Sequence, residues 1–145
     1  MNTVDAAADI EIAADPADIA AVMFDPARES DWMGAVTGVE VIDPALVAGA
    51  RVRHSGRLMN QDFTWMTEVE TVHFPHVLVL RVSDGPLVGT MRYDIQRSGS
   101  GSRVRMRNVG QPGAALSFVP VSMVVGPLQA AMLADLERLK AIVEG

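Results

Sequence analysis

The stretch DPADIAAVMFDPARESDW, residues 15–32, contains Asp-Pro twice, at Asp15-Pro16 and at Asp25-Pro26. Each pair is typical of a helix start, because an Asp side chain can accept hydrogen bonds from the free amides of the first turn and proline fits the first helical position. The second start follows so soon that the first helix has room for only about two turns. We therefore expect two short helices at an angle, which together cap one end of a cupped sheet.

The segments on either side of these helices alternate between apolar and polar residues, which is the pattern of half-buried strands. Before the helices, Ile10 and Ile12 alternate with Asp9 and Glu11. After them we expect six further strands joined by short turns, an order that favours an antiparallel sheet. The predicted inward positions of four of these strands are Val52, His54, Gly56 and Leu58; Phe63, Trp65, Thr67 and Val69; Met91, Tyr93 and Ile95; and Val104, Met106 and Asn108.

The period of the apolar residues changes after Pro112. One helical stripe begins at Pro127 and contains Leu128, Met132, Leu136, Leu139 and Val143. The preceding apolar segment AALSFVPVSMVVGP is broken by Pro120, and we interpret it as the first, kinked half of the same helical arm. The order of elements predicts an α+β fold in which a curved, seven-stranded antiparallel sheet wraps around a long C-terminal helix.

The composition limits the class of protein. At 145 residues the chain fits one domain, residues 1–145. A net charge of −6 disfavours a nucleic-acid partner, because the chain would repel a phosphate backbone. The sequence contains no cysteine, which excludes disulfides, thiolate catalysis and Cys-ligated zinc.

The sequence also bears on location. The N-terminal segment MNTVDAAADIEIAAD has neither a basic region nor a long apolar run, so we expect no signal peptide. The apolar run from Ala114 to Leu128 is interrupted by Pro120 and Pro127, which argues against a membrane span. We therefore expect a cytoplasmic protein, monomeric or homodimeric, without stable membrane insertion.

Four stretches and the order of elements resemble one known superfamily. The stretches are DIEIAADPADIAAVMFDPARESDW (9–32), GARVRHSGR (49–57), TWMTEVETV (64–72) and LADLERLKAIVE (133–144). They resemble the START-related helix-grip superfamily, also labelled SRPBCC, and within it the polyketide cyclase/dehydrase-like branch. The resemblance covers nearly the whole chain and implies a cavity between sheet and long helix. Relatives bind lipids, sterols, polyketides or plant hormones there, and a few are cyclases, dehydratases or hydratases.

Two inward side chains are candidates for chemistry in such a cavity. His54 could act as a general acid–base, because histidine titrates near neutral pH; the alternative is a histidine held by a hydrogen bond in the core. Tyr93, the only tyrosine, could donate to a ligand oxygen or act as a weak acid. Its alternative is core packing with a satisfied hydroxyl.

The candidate ligand-binding residues are those expected to face the cavity from the sheet, from the second short helix and from the C-terminal arm. Asn108 stands out because a buried amide needs hydrogen-bond partners, which a ligand, a water or a neighbouring strand could supply. For the apolar members, plain core packing is the alternative. The candidates are Trp32, Leu58, Trp65, Leu80, Met91, Tyr93, Met106, Asn108, Phe118, Met123 and Met132.

Other polar groups favour a structural interpretation. Glu29 and Asp31 could form a carboxylate pair, but we expect both to be solvated on a short exposed helix. His73 and His76 have no third ligand beside them, so we expect no metal site. The sequence contains no Ser-His-acid spacing, and SGSGS (98–102) is a hairpin loop rather than a phosphate cradle. We expect no cofactor.

A basic row is predicted on the outer face of the last strand, formed by Arg103, Arg105 and Arg107. We expect acidic groups across the sheet, namely Asp94, Glu68 and Glu70, to offset it. A groove for single-stranded nucleic acid would need interleaved aromatic side chains, which this row lacks. The row is therefore predicted to be a solvated face.

Three functional hypotheses remain open. The first is a protein that binds a small hydrophobic or amphipathic ligand, lipid- or polyketide-like, in the cavity. The second is a polyketide cyclase, aromatase or dehydratase, with His54, Tyr93 and Asn108 as proton-transfer and orienting groups. The third is an interaction module with a filled core, in which ALSFVPVSMVV would form a docking or dimer surface.

Overall fold

The computed structural model describes residues 3–145 and forms one curved sheet packed against one long helix. Met1 and Asn2, which begin the segment analysed for a signal peptide, lie outside the described residues. The strands are β1 (Val4–Ile12), β2 (Val36–Val41), β3 (Arg51–Leu58), β4 (Gln61–His73), β5 (Val77–Val82), β6 (Leu87–Ser98) and β7 (Gly101–Pro112). The helices are α1 (Pro16–Met23), α2 (Glu29–Trp32) and α3 (Val125–Glu144), with 3-10 turns at Pro26–Arg28, Ala114–Leu116 and Val121–Met123.

The seven strands pair antiparallel in the order β1-β7-β6-β5-β4-β3-β2. The predicted α+β helix-grip architecture is confirmed, with two short helices between β1 and β2. This connectivity gives the sheet two distinct ends. We call one of them the open end. It carries the β3–β4 turn (59–60), the β5–β6 connection (83–86) and the last residues of β7. The far end carries the connections 42–50, 74–76 and 99–100.

Of the two short helices, α1 lies at the far end of the sheet, whereas α2 leads into the start of β2 toward the open end, so the two do not cap one end together as expected. Helix α1 follows β1 at the far end and buries Ile19, Val22 and Met23 in the core. Pro16 occupies the first turn as predicted, but the Asp15 side chain makes no capping bond and accepts from Arg97 instead, at 3.0 Å. Asp25 does cap its turn, because its carboxylate accepts from the Ala27 amide at 3.0 Å.

The segment between β7 and α3 differs from the prediction. It is not the first half of a kinked helix: residues 114–123 form two separate 3-10 turns, with Pro120 immediately before the second. A proline lacks the amide hydrogen that a continuous helix would need, and it restricts the residue before it to extended conformations. Helix α3 therefore starts at Val125, and its predicted stripe buries Met132, Leu136 and Leu139.

The inner face of the sheet is apolar and the outer face is charged. Val104, Met106 and Asn108 are buried as predicted from the alternation in β7. The outward arginines are offset differently from the prediction. Arg103 and Arg107 bind Asp9 and Asp5 of β1 at 3.1 and 2.7 Å, because β1 is the direct neighbour of β7.

The acidic residues that were expected to offset this row have other partners. Asp94 binds Arg92 at 2.9 Å, while Glu68 and Glu70 both bind Arg81. Within residues 3–145, no helix is both long enough and apolar enough to cross a membrane.

Candidate ligand-binding site

An apolar cavity of about 210 Å³ lies between the sheet and α3 in the open half of the molecule. Its walls include Leu58 and Phe63 beside the β3–β4 turn, Leu87 of β6 and Leu116 of the first 3-10 turn after β7. The first half of α3 completes the wall with Leu128, Ala131, Met132 and Asp135. Leu58 is 40 % exposed, so the cavity reaches the surface beside it.

His54 lies on the inner wall of this cavity. The alternation of β3 turns its side chain inward between Val52 and Gly56, and it is only 2 % exposed. Its Nδ1 forms a short contact with a carboxylate oxygen of Glu29, and its Nε2 lies 2.8 Å from the Thr67 hydroxyl. The Trp65 ring stacks on the imidazole with 5.4 Å between centroids and 5° between planes, which fixes the orientation of His54.

The chemistry of the three groups determines which one donates the hydrogen at each of these two contacts. An ionised Glu29 can only accept, so Nδ1 of His54 must donate to it. In the neutral imidazole, Nε2 is then an acceptor, and the Thr67 hydroxyl donates to it. Glu29, His54 and Thr67 therefore form a carboxylate–imidazole–hydroxyl relay in the cavity wall, in which the histidine can take up or release a proton.

A second carboxylate, Asp135, lies in the wall formed by α3. It accepts from the Gly34 amide at 3.0 Å and makes a short contact with Arg138. Burial raises the pKa of the Asp135 carboxyl above its ordinary value of 3.8, although the Gly34 amide and the Arg138 guanidinium oppose the shift. Its contact with Gly34 joins α3 to the segment between α2 and β2 beside the cavity.

Asn108 reaches the cavity from β7. Its amide nitrogen lies 3.5 Å from the Met132 sulfur, and thioether sulfur is only a weak acceptor. The buried amide could therefore gain from a stronger acceptor brought by a ligand.

Tyr93 lies one inward position nearer the far end than Met91, behind the cavity wall. It packs against Trp32 and Phe24, with ring centroids 6.0 and 6.3 Å away. Burial raises the pKa of the Tyr93 hydroxyl well above its ordinary value, and the charges of Glu29 and Asp135 add to the effect. Among residues 3–145, the Tyr93 hydroxyl and the Trp32 Nε1 are the fully buried side-chain polar atoms without a hydrogen-bond partner.

The structure brings some of the predicted site residues together and separates others. The residues that line the cavity are His54, Leu58, Trp65, Met91, Met106, Asn108 and Met132. Trp32, Leu80 and Tyr93 are buried outside this lining, because side chains of α1 and the second half of α3 fill the far half of the molecule. Phe118 and Met123 are 74 % and 66 % exposed and lie outside the cavity. The ligand-binding and catalytic roles of all these residues stay predictions.

Three polar residues of the site escaped the sequence reasoning. Glu29 was expected to be solvated, which is wrong: it is 8 % exposed and bonded to His54. Asp135 is not part of the apolar stripe predicted for α3, and Thr67 was assigned an inward position but no role. A signal for Glu29 existed in its position three residues before Trp32, since residues three apart share a helix face. Asp31 is half exposed and pairs with Arg28, as expected for a solvated residue.

Possible metal ligands do not cluster in the described part of the chain, where no three His, Asp or Glu side chains meet. His76 instead lies 2.8 Å from the Ile95 carbonyl oxygen through its Nδ1.

The fold and the apolar cavity define a helix-grip protein with a hydrophobic-ligand-binding fold. The family model described as polyketide cyclase / dehydrase and lipid transport matches residues 3–144, so the chain belongs to this family. The predicted SRPBCC relationship is thereby confirmed. No curated protein sequence matches this chain significantly.

Solved structures with the same fold come from bacteria and plants. The protein TTHA0849 from Thermus thermophilus has a TM-score of 0.79 at 18 % identity, with 96 % of each chain covered. Protein Ms6760 from Mycobacterium smegmatis has a TM-score of 0.72 at 17 % identity, covering 97 % of this chain and 91 % of that one. The ginseng major latex-like protein 151 from Panax ginseng has a TM-score of 0.72 at 12 % identity over 97 % of each chain. At these identities the similarity concerns the fold alone.

Proposed function

We propose that this protein binds one small, mainly apolar molecule in the cavity between the sheet and α3. The observation that carries the proposal is the apolar cavity of about 210 Å³, whose few polar lining residues include Glu29, His54, Thr67, Asn108 and Asp135. An apolar surface with a few convergent polar groups is the usual character of a small-molecule site. The proposal retains the cytoplasmic location, and the monomer or homodimer, expected from the sequence.

The volume sets the size of the ligand. Sites for drug-sized molecules measure about 300–1,000 Å³, whereas an apolar cavity of about 150 Å³ holds benzene. A cavity of about 210 Å³ lies between these limits and favours a compact molecule of up to three rings, or a short acyl chain. Such a cavity also weighs against the hypothesis of a filled core.

The test is binding of a neutral apolar fluorophore, N-phenyl-1-naphthylamine, by the purified chain. We expect its fluorescence to rise on binding and a Met91→Trp substitution to abolish the rise, because Met91 lines the cavity. The matched control is Met66→Trp on β4, where the side chain lies outside the cavity lining. Binding that survives Met91→Trp unchanged, or is lost equally in both variants, would contradict the proposal.

The relay of Glu29, His54 and Thr67 favours a second candidate function. A histidine oriented by a carboxylate in an apolar cavity is equipped for general acid–base catalysis, the chemistry that a cyclase, aromatase or dehydratase needs. Tyr93 would then act at most as a proton donor, since its raised pKa keeps the hydroxyl protonated.

Turnover of a cyclising polyketide-type substrate tests this second candidate. His54→Gln should lower kcat by about 10²-fold or more while N-phenyl-1-naphthylamine still binds. His76→Gln, which alters a histidine outside the cavity, should leave kcat unchanged. Equal kcat values for the wild type and His54→Gln would remove His54 from the mechanism.

A further inference from the structure

The open end of the molecule presents large apolar side chains to solvent. Phe118, Met123 and Met59 are 74 %, 66 % and 63 % exposed. Phe118 and Met123 belong to the 3-10 segment before α3, while Met59 forms the tip of the β3–β4 turn. We call these three residues the open-end patch. All three belong to segments at the open end, and several exposed apolar side chains at one end mark an interaction surface more often than isolated ones do.

The chain around this patch is also unusually poor in charge. Residues 108–134 contain no Asp, Glu, Lys, Arg or His, although 21 % of the whole chain is charged. Near Met59, Arg57 is paired with Asp62 at 2.9 Å, so that basic group is already neutralised. The open-end patch therefore offers apolar contact without free basic groups that would select an anionic partner.

The patch is continuous with the entrance of the cavity. Leu58, next to Met59, lines the cavity and is itself 40 % exposed. Leu116 and Val124, which flank Phe118 and Met123 in the chain, line the same cavity. Any partner that covers the open-end patch therefore also covers the route into the cavity.

We propose that the open-end patch docks reversibly on an electrically neutral lipid bilayer. Apolar side chains at such a surface enter the boundary between headgroups and acyl chains, and the strength of binding follows the apolar area buried. A bilayer would place the cavity entrance against apolar molecules, whereas a second copy of this chain would seal it. The acidic net charge of −6 agrees with a neutral rather than an anionic surface. The preference for a bilayer over a second copy rests on the proposed ligand-binding function, but not on the identity of the ligand.

Flotation of the full chain with phosphatidylcholine vesicles tests the proposal. We expect the wild type to float with the vesicles and the double substitution Phe118→Ser and Met123→Ser to lower the partition coefficient by about tenfold or more. The control is Val47→Ser, because Val47 is 55 % exposed but lies at the far end. It should bind as the wild type does. Met59→Ser alone should also weaken binding, which tests the patch from a second, separate segment.

Each alternative result has a defined meaning. Absence of the wild type from the floated phosphatidylcholine fraction would overturn the proposal, as would binding that requires phosphatidylserine. A dimer in sedimentation equilibrium that dissociates in the double variant would also overturn it, since the patch would then bind a second copy. Unchanged binding of N-phenyl-1-naphthylamine by the double variant in solution keeps this test separate from that of the cavity.

Discussion

At the scale of single residues, the contact between Glu29 and His54 is the one whose loss we expect to destabilise the protein most. Both side chains are buried, and each satisfies a polar group of the other in an apolar wall. Removing one member of a buried pair leaves its partner without a hydrogen bond or a counter-charge, and this costs far more than the loss of a solvated pair.

We therefore expect Glu29→Ala to lower the free energy of unfolding by about 3 kcal/mol, because His54 loses its Nδ1 partner inside the fold. The matched control is Asp31→Ala, two residues away on the same short helix. Asp31 is half exposed and pairs with the exposed Arg28, so its removal should cost less than about 1 kcal/mol. Urea unfolding of the three proteins measures both differences; similar losses in the two variants would contradict a structural role for the buried pair.

Asp135 leads to a prediction about pH. Because burial raises its pKa in the native state, the stability that it contributes is fully present below pH 3.8 and falls as pH rises through the raised native pKa. Asp135→Asn removes this titration. The free energy of unfolding of the wild type, minus that of the variant, should therefore decrease as pH rises from about 3.5 to about 7.

Asp5 is the control of opposite sign for that experiment. The hydrogen bond from Arg107 lowers the pKa of the Asp5 carboxyl, so its contribution is present above its ordinary value of 3.8 and is lost as pH falls through the lowered native pKa. The same difference measured for Asp5→Asn should increase with pH. If the stability difference changed with pH in the same direction for both variants, burial would not be what sets the pKa of Asp135.

At the scale of elements, β3 and β4 hold the relay in place through a close packing contact. A Cβ added at Gly56 would lie 2.5 Å from the Ala35 carbonyl oxygen and 2.6 Å from the Trp65 ring. Trp65 could not keep its position, and its stacking on His54 would be disturbed. The glycine is therefore needed for the approach of a tryptophan ring to the strand.

We expect Gly56→Ala to lower the free energy of unfolding by about 1–3 kcal/mol, the usual cost of overpacking, and to change the tryptophan fluorescence. Gly38→Ala on the neighbouring strand β2 is the control, since a Cβ there would have no atom within 4 Å. Its effect should stay within about 1 kcal/mol. A Gly56→Ala protein with native stability and native fluorescence would contradict this account of the packing.

The long helix shows how one element serves both halves of the molecule. Leu128, Met132 and Asp135 in its first half line the cavity, whereas Leu136 and Leu139 are fully buried in the far half. The apolar stripe of α3 predicts burial for Leu128, Met132, Leu136 and Leu139, but not for Asp135. Only the curvature of the sheet and the position of α1 decide which of these side chains face the cavity and which are packed in the far half.

At the scale of the whole molecule, the far half is filled and stabilises the fold, and the open half contains the cavity. A ligand that binds only the native state stabilises the entire domain by mass action. Saturation with N-phenyl-1-naphthylamine at about 100 times its dissociation constant should raise the free energy of unfolding by about 2.7 kcal/mol. Denaturant unfolding with and without the probe measures this, and Met91→Trp should show no increase; an increase of the same size in that variant would place the probe elsewhere.

The sequence by itself determined the seven strands, their inward faces and the apolar stripe of the long helix, but not the 3-10 turns that precede it. The period-two alternation in β3, β4, β6 and β7 and the apolar stripe of α3 are local properties that survive any arrangement of their neighbours. For this reason the helix-grip fold, the inward position of His54 and the wall residues Trp65, Met106 and Asn108 could be predicted.

Only the tertiary structure decided where the open space lies and which polar groups meet there. Glu29, His54 and Thr67 come from three elements, and their contact depends on how α2 approaches the curved sheet, which no local pattern specifies. The separation of Tyr93 from the cavity follows from the side chains of α1 that fill the far half. Burial by neighbours distant in the chain is not a local property, and this is why Glu29 was expected in solvent and Phe118 in the cavity.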